Sequence, residues 1–296
     1  MSEAFRELRF RAQDDVELYA RDYGDPDSAA MPVLCLSGLT RNSKDFRDLA
    51  PHLAGKRRVL AMDYRGRGQS ASDPDWHNYT PQAYIADAVA LLTVAGLHKV
   101  VVIGTSLGGI VAMGLGAMQP ASLAGVVMND IGPEIAAGGA GRIADYVGRA
   151  LVLPDMAAGA AKLRETYDGA YPDLDEAGWL RLAEGTYRRR PDGQIELDYD
   201  LKLGEAVRES AKGGTPNLWP LFDTLAHVPV LAIRGGLSDI LTAETLEKMK
   251  ARRQEQGQTL ETVVLGNRGH VPFLDEPEAL DAIDRFLAAI DADRTA

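Results

Sequence analysis

Four short runs constrain the fold of this chain more than anything else in it: Val33–Leu36 (VLCL), Arg58–Asp63 (RVLAMD), Val100–Thr105 (VVVIGT) and Gly125–Asp130 (GVVMND). Each is apolar over most of its length and has no polar face to turn to water, the pattern of a strand covered on both sides in a parallel sheet. Between them, Ser43–Ala54, Pro81–Ala95 and Leu107–Met118 carry apolar residues at helical spacing. The rhythm resumes later with a strand at Val228–Arg234, a helical stretch at Ala243–Lys250, a strand at Glu261–Leu265 and a closing helix from Glu278 to about Ile290. Such alternation predicts an α/β fold, a doubly wound and mostly parallel sheet with right-handed crossovers. Arg6–Ala12 and Val16–Tyr23 alternate polar and apolar residues around Asp14-Asp15, and read as an antiparallel hairpin at the sheet edge.

One interval breaks the rhythm. From about Pro133 to Ala226 no clear parallel strand appears, and RIADYVGRAL, AAKLRETYDGAY, EAGWLRLAEGTYRRR and DYDLKLGEAVRES are helical and aromatic in character. The interval is too long for a structureless loop, so it predicts an inserted helical subdomain. The division is 1–132 and 227–296 for the core and 133–226 for the insertion, with AAGGAG and GGTPNLWP as hinges.

The net charge of −11 opposes binding to a polyanion, so nucleic acid is excluded as a partner and a small molecule is expected. Cys35 is the single cysteine, so no internal disulfide forms, and its place in VLCL reads as a core thiol. MSEAFRELRF lacks a basic region followed by an apolar stretch, and no segment approaches a membrane span; the expectation is a cytoplasmic protein with no membrane partner. A homodimer is neither required nor opposed.

Gly104-Thr105-Ser106-Leu107-Gly108 fits G-x-S-x-G between a β-branched strand and a helix, the setting in which a sharp turn lifts a serine hydroxyl above a sheet. The flanking glycines avoid a collision with neighbouring backbone. A serine needs a base to accept its proton. Of five histidines, His52, His77, His98 and His227 are explained as surface or turn residues, whereas His270 lies in a glycine-flanked loop after the last strand, at the carboxyl edge where open sheets place ligands. A carboxylate should fix the imidazole, and two compete: Asp239 in GGLSDIL and Asp130 in VVMNDIGP. Chain order fits both, and the tight loop around Asp239 favours it, with Asp130 as the alternative acid. The oxyanion donors are expected to be the Leu107 N–H at the helix start and the Leu39 N–H after Ser37-Gly38. No zinc spacing, dinucleotide fingerprint or P-loop occurs, so neither metal nor cofactor is expected.

Taken together, LSGLTRNSKDF, AMDYRGRGQSASD, GTSLGG, NDIGP, GGLSDIL and GNRGHVPFLDEP resemble, in order, the α/β-hydrolase superfamily. The resemblance implies about eight core strands with a lid between the sixth and seventh. It also implies that relatives with D-I-x-P at a strand end and no later carboxylate use the earlier aspartate, which keeps Asp130 in play. Ser37-Gly38 departs from the His-Gly of many members; a hole built from backbone N–H groups survives that change. The expected activity is cofactor-independent hydrolysis of a small carboxylic ester or related acyl compound. The rivals are carbon–carbon bond hydrolysis of a diketone by the same residues, a non-catalytic ligand receptor, and a cofactor-free perhydrolase. In the insertion, Arg142, Tyr146, Tyr167, Tyr171, Trp179, Tyr187 and Arg188 are the candidates for touching substrate.

Overall fold

The computed structural model describes residues 5–136 and 146–295. The chain opens with β1 (Phe5–Arg11) and β2 (Glu17–Tyr23), joined by a turn in which Asp15 takes φ of 70°. There follow β3 (Val33–Leu36), α1 (Leu49–Ala54), β4 (Val59–Asp63), α2 (Pro81–Val94), β5 (Val100–Thr105), α3 (Leu107–Met118) and β6 (Leu123–Asn129). After β6 the path leaves the sheet through β7 (Val152–Leu153), α4 (Met156–Tyr167), α5 (Glu176–Thr186), β8 (Tyr187–Arg189), β9 (Ile195–Leu197), α6 (Leu203–Ala211) and α7 (Trp219–Asp223). It returns with β10 (Val230–Gly235), α8 (Ala243–Glu255), β11 (Leu260–Leu265) and α9 (Pro277–Thr295).

Eight strands form one sheet in the order β1-β2-β4-β3-β5-β6-β10-β11. The β1–β2 and β2–β4 pairs are antiparallel and the others parallel, as expected of an edge hairpin on a doubly wound core. Successive strand residues supply opposite layers. Leu34, Leu36, Val102, Val126 and Ala232 pack on the side of α2 and α3, while Val33, Cys35, Ile103, Val127 and Ile233 pack with α1 and α9. Both faces are dry, so the runs need no polar alternation.

Two segments differ from the sequence reading. Ser43–Ala54 is not one helix: a 3-10 turn at Ser43–Phe46, capped by the Asn42 side chain, precedes α1. The buried Asp63 carboxylate takes the Ser43 N–H at 2.6 Å and the Gln69 N–H at 2.8 Å, tying the turn to the end of β4. The insertion is also not wholly helical. β7, β9 and β8 form a small sheet, and Arg188 and Arg190 pair with Glu196 across its hairpin. Leu163, Tyr171, Trp179, Ala183, Tyr187 and Ile195 give this part its own apolar cluster. No helix among the described residues is long and apolar enough to cross a membrane.

Candidate active site

The serine corner follows from the packing of β5 against α3. A β-carbon on Gly104 would lie 2.4 Å from the Gly108 carbonyl, and one on Gly108 would lie 2.1 Å from the Leu36 carbonyl oxygen, so only glycine lets helix and sheet approach this closely. Ser106 sits between them with φ of 52° and ψ of −112°, a conformation rare for a side-chain-bearing residue and sustained by its surroundings. Its N–H is fixed by the Asn129 carbonyl at 3.0 Å. Leu107 begins α3, so its N–H has no partner within the helix and points with the positive end of the helix dipole.

Chain segments 164 residues apart meet over this serine, where His270 Nε2 lies 3.0 Å from Ser106 Oγ. The other ring nitrogen, Nδ1, lies 2.7 Å from Asp130 Oδ2. Asp130 follows β6 with φ of 55° and is wholly buried. Its Oδ1 accepts the Gly235 N–H at 2.8 Å and its Oδ2 accepts the Ser238 hydroxyl at 2.5 Å. The preference for Asp239 therefore requires correction: both imidazole nitrogens are engaged, by Ser106 and Asp130. The tight loop at 236–239 supplies the Ser238 hydroxyl that donates to Asp130, and Asp239 lines the cavity.

The loop carrying His270 is fastened from two sides. Glu276 accepts Arg268 Nε at 2.7 Å and the N–H groups of Phe273 and Leu274 at 3.0 and 2.8 Å. From the insertion, Tyr171 Oη accepts the Val271 N–H at 2.8 Å and donates to the Val271 carbonyl at 3.0 Å, and the Ala170 carbonyl accepts the Gly269 N–H at 2.7 Å. Burial pushes the Tyr171 phenol up, so it stays protonated and able to donate.

A cavity of about 760 Å³ opens above Ser106 and His270, walled by the Gly38 loop on one side and by the insertion on the other. Leu39 lines it, and Arg67 Nε holds the Leu39 carbonyl at 2.9 Å, which sets the orientation of that loop. Among the described residues no group of three or more His, Cys, Asp or Glu could hold a metal ion.

A family model described as the alpha/beta hydrolase family matches residues 33–283. The chain belongs to the alpha/beta hydrolase family. This hydrolase is 30% identical over 272 residues to a 3-hydroxybutyrate-oligomer hydrolase of Cupriavidus necator, covering 90% of each chain. It is 27% identical over 259 residues to a 2-(acetamidomethylene)succinate hydrolase of Mesorhizobium japonicum, covering 87% of this chain and 88% of the relative. A crystal structure of an alpha/beta hydrolase from Novosphingobium aromaticivorans superimposes with a TM-score of 0.89 at 43% identity, covering 97% of this chain and 99% of the other.

In the hydrolase the remaining sequence candidates divide. Tyr146, Tyr167, Tyr171 and Tyr187 line the cavity. Trp179 is buried in the apolar cluster of the insertion, edge-on to Tyr171 and outside the cavity wall, so its role is packing. Arg188 is spent on Glu196, and Arg142 with most of AAGGAG lies outside the described residues. His52 pairs with Asp284, His77 with Asp75, and His227 with the Pro120 carbonyl. Sequence reasoning missed Arg41, Arg67 and the Tyr171 hydroxyl. Only Arg41 had a local signal, a charge three residues beyond the glycine of the Ser37-Gly38 loop.

Proposed function

We propose that the protein is a serine hydrolase that cleaves a small carboxylic ester or related acyl compound through an acyl-enzyme. The observation that carries this reading is the chain of two hydrogen bonds, Ser106 Oγ to His270 Nε2 at 3.0 Å and His270 Nδ1 to Asp130 Oδ2 at 2.7 Å. His270 Nε2 takes the serine proton as Oγ attacks the carbonyl carbon. The imidazolium that forms is stabilised by Asp130, whose carboxylate also fixes the tautomer with Nε2 free to accept. Negative charge on the former carbonyl oxygen is met by the Leu39 and Leu107 N–H groups. His270 then returns its proton to the leaving alkoxide, and water, activated by the same imidazole, releases the acid. Residues 133–226 act as the lid over this chemistry, and Tyr146 and Tyr187 belong to its wall.

The relative named as a 3-hydroxybutyrate-oligomer hydrolase supports an ester as the bond cleaved. The test is a series of 4-nitrophenyl esters from acetate to hexanoate, with a vinylogous 1,5-diketone acid as the carbon–carbon probe. We expect ester turnover, a fluorophosphonate adduct on Ser106, and loss of both in Ser106→Ala. Turnover of the diketone with inert esters would transfer the reading to carbon–carbon hydrolysis, and absence of any adduct or turnover would favour a receptor.

A further inference from the structure

A second polar pole sits in the chamber that holds Ser106. Arg41 ends the turn that starts at Gly38, its N–H bonding the Gly38 carbonyl at 3.1 Å. A β-carbon built on Gly38 would lie 3.5 Å from Arg41 Cγ and 3.8 Å from Ser106 Cβ, so Gly38 lies against both the arginine stem and the serine. Arg41 lines the same cavity.

The group is held in one orientation. Asp45 takes Nε at 2.9 Å and Nη2 at 2.5 Å, and Thr186 Oγ1 takes Nη1. A guanidinium has five N–H donors, and these bonds occupy three, mostly along the Nε edge. One donor on each terminal nitrogen has no partner among the described residues, which leaves the group able to donate to a ligand in the cavity that Arg41 lines. Burial works against its charge, but the Asp45 carboxylate more than offsets this, so Arg41 stays protonated.

Two tyrosines complete the pole. Tyr167 and Tyr187 line the same cavity as Arg41, and neither hydroxyl has a protein partner among the described residues.

We propose that Arg41, with the Tyr167 and Tyr187 hydroxyls, forms an anion subsite for a carboxylate, so that the substrate is an ester that also carries a free carboxylate group. The word ester rests on the serine-hydrolase reading; the subsite does not. Asp45 is the element that aims the guanidinium, and a ligand carboxylate accepts from its remaining donors.

The test compares charged and neutral twins on both sides of the scissile bond: 4-nitrophenyl monoadipate against 4-nitrophenyl hexanoate, and 3-carboxy-4-nitrophenyl butyrate against 4-nitrophenyl butyrate. Wild type should favour at least one charged ester over its twin by at least tenfold in kcat/KM, chiefly through KM, and which pair responds assigns the carboxylate to the acyl or the alcohol part. Arg41→Gln should lower kcat/KM on that charged ester at least tenfold more than on the twin, with Arg41→Lys restoring part of the difference. Because Arg41→Gln strands the Asp45 carboxylate, Arg41→Gln/Asp45→Asn and the nearly isosteric Tyr187→Phe, which should erode the preference severalfold, guard against a mere folding defect. Calorimetry of adipate binding to wild type and Arg41→Gln, with at least a tenfold rise in Kd expected, reads the subsite without turnover. Ser106-dependent hydrolysis with no charge preference overturns the subsite and leaves the hydrolase reading intact. If no ester reacts, the hydrolase reading falls, and Arg41-dependent adipate binding still upholds the subsite while its absence overturns it.

Discussion

Replacing Asp130 by asparagine should abolish turnover for a reason that can be followed atom by atom. Oδ1 accepts the Gly235 N–H, an arrangement an amide oxygen can keep, whereas Oδ2 faces both Ser238 Oγ and His270 Nδ1. In Asp130→Asn the amide nitrogen takes the second position and donates to Nδ1. The imidazole proton is then driven to Nε2, the nitrogen that faces Ser106 Oγ at 3.0 Å, and a nitrogen that already bears a proton cannot accept another. In serine proteases a change of this kind lowers kcat by about 10⁴, which corresponds to roughly 5.4 kcal/mol of activation free energy at 1.36 kcal/mol per decade. The new amide also meets a Ser238 hydroxyl that already accepts the Ile240 N–H at 3.1 Å, so a stability loss of about 1–3 kcal/mol accompanies the change. That is within what a domain of this size tolerates. Asp239→Asn should lower kcat less than tenfold. Initial rates on 4-nitrophenyl butyrate at pH 7.5, with thermal melts to establish folding, measure both variants. If Asp239→Asn loses four decades while Asp130→Asn stays within one, the assignment of the acid is wrong.

Three further outcomes follow from the packing and the charges. Tyr171→Phe removes the hydroxyl that both accepts from and donates to the Val271 backbone, and should lower kcat roughly tenfold with little change in KM, since an unsatisfied N–H beside the base costs about 1–3 kcal/mol; an unchanged kcat would refute the bracing role. Gly104→Ala should lose upwards of about 3 kcal/mol in urea unfolding, because its β-carbon would meet backbone at 2.4 Å, while Gly266→Ala, with nothing within 4 Å, should stay within about 0.5 kcal/mol. Hydrogen bonding to Arg65 holds the Asp14 carboxyl below its usual 3.8, so its contribution is present in full above that pH and fades as the pH falls through the depressed value. The cost of Asp14→Asn, about 1 kcal/mol or less for a side chain 45% exposed, should be full at pH 6 and shrink below pH 3.8; a gap that widens on acidification contradicts this.

The sheet was readable in the sequence because parallel strands buried on both faces leave a one-dimensional mark. Val33–Leu36 and Val100–Thr105 are found at the expected bounds, as is the helix Leu107–Met118. The Ser106 corner was legible for a similar reason, since the close approach of β5 and α3 demands glycine at fixed offsets. The aspartate was not. Asp130 and Asp239 both follow core strands, and what separates them is the orientation of Asp130, fixed by Gly235 and Ser238 across strands that are adjacent only in space. The hairpin of β8 and β9 was missed because its strands are three residues each, too short for an alternation to register, and its arginines find Glu196 only once the turn has closed. Arg41 was passed over because a single charge in a loop carries no period, and its partner Thr186 is 145 positions away.

The bonds from Ala170 and Tyr171 to Gly269 and Val271 splice the roof of the cavity to the segment on either side of the imidazole. Swinging that roof outward far enough to admit a bulky guest would pull the ring away from the hydroxyl beneath it. Any shift of the roof is in this way carried to the imidazole, because two of its residues hold the backbone on both sides of that ring.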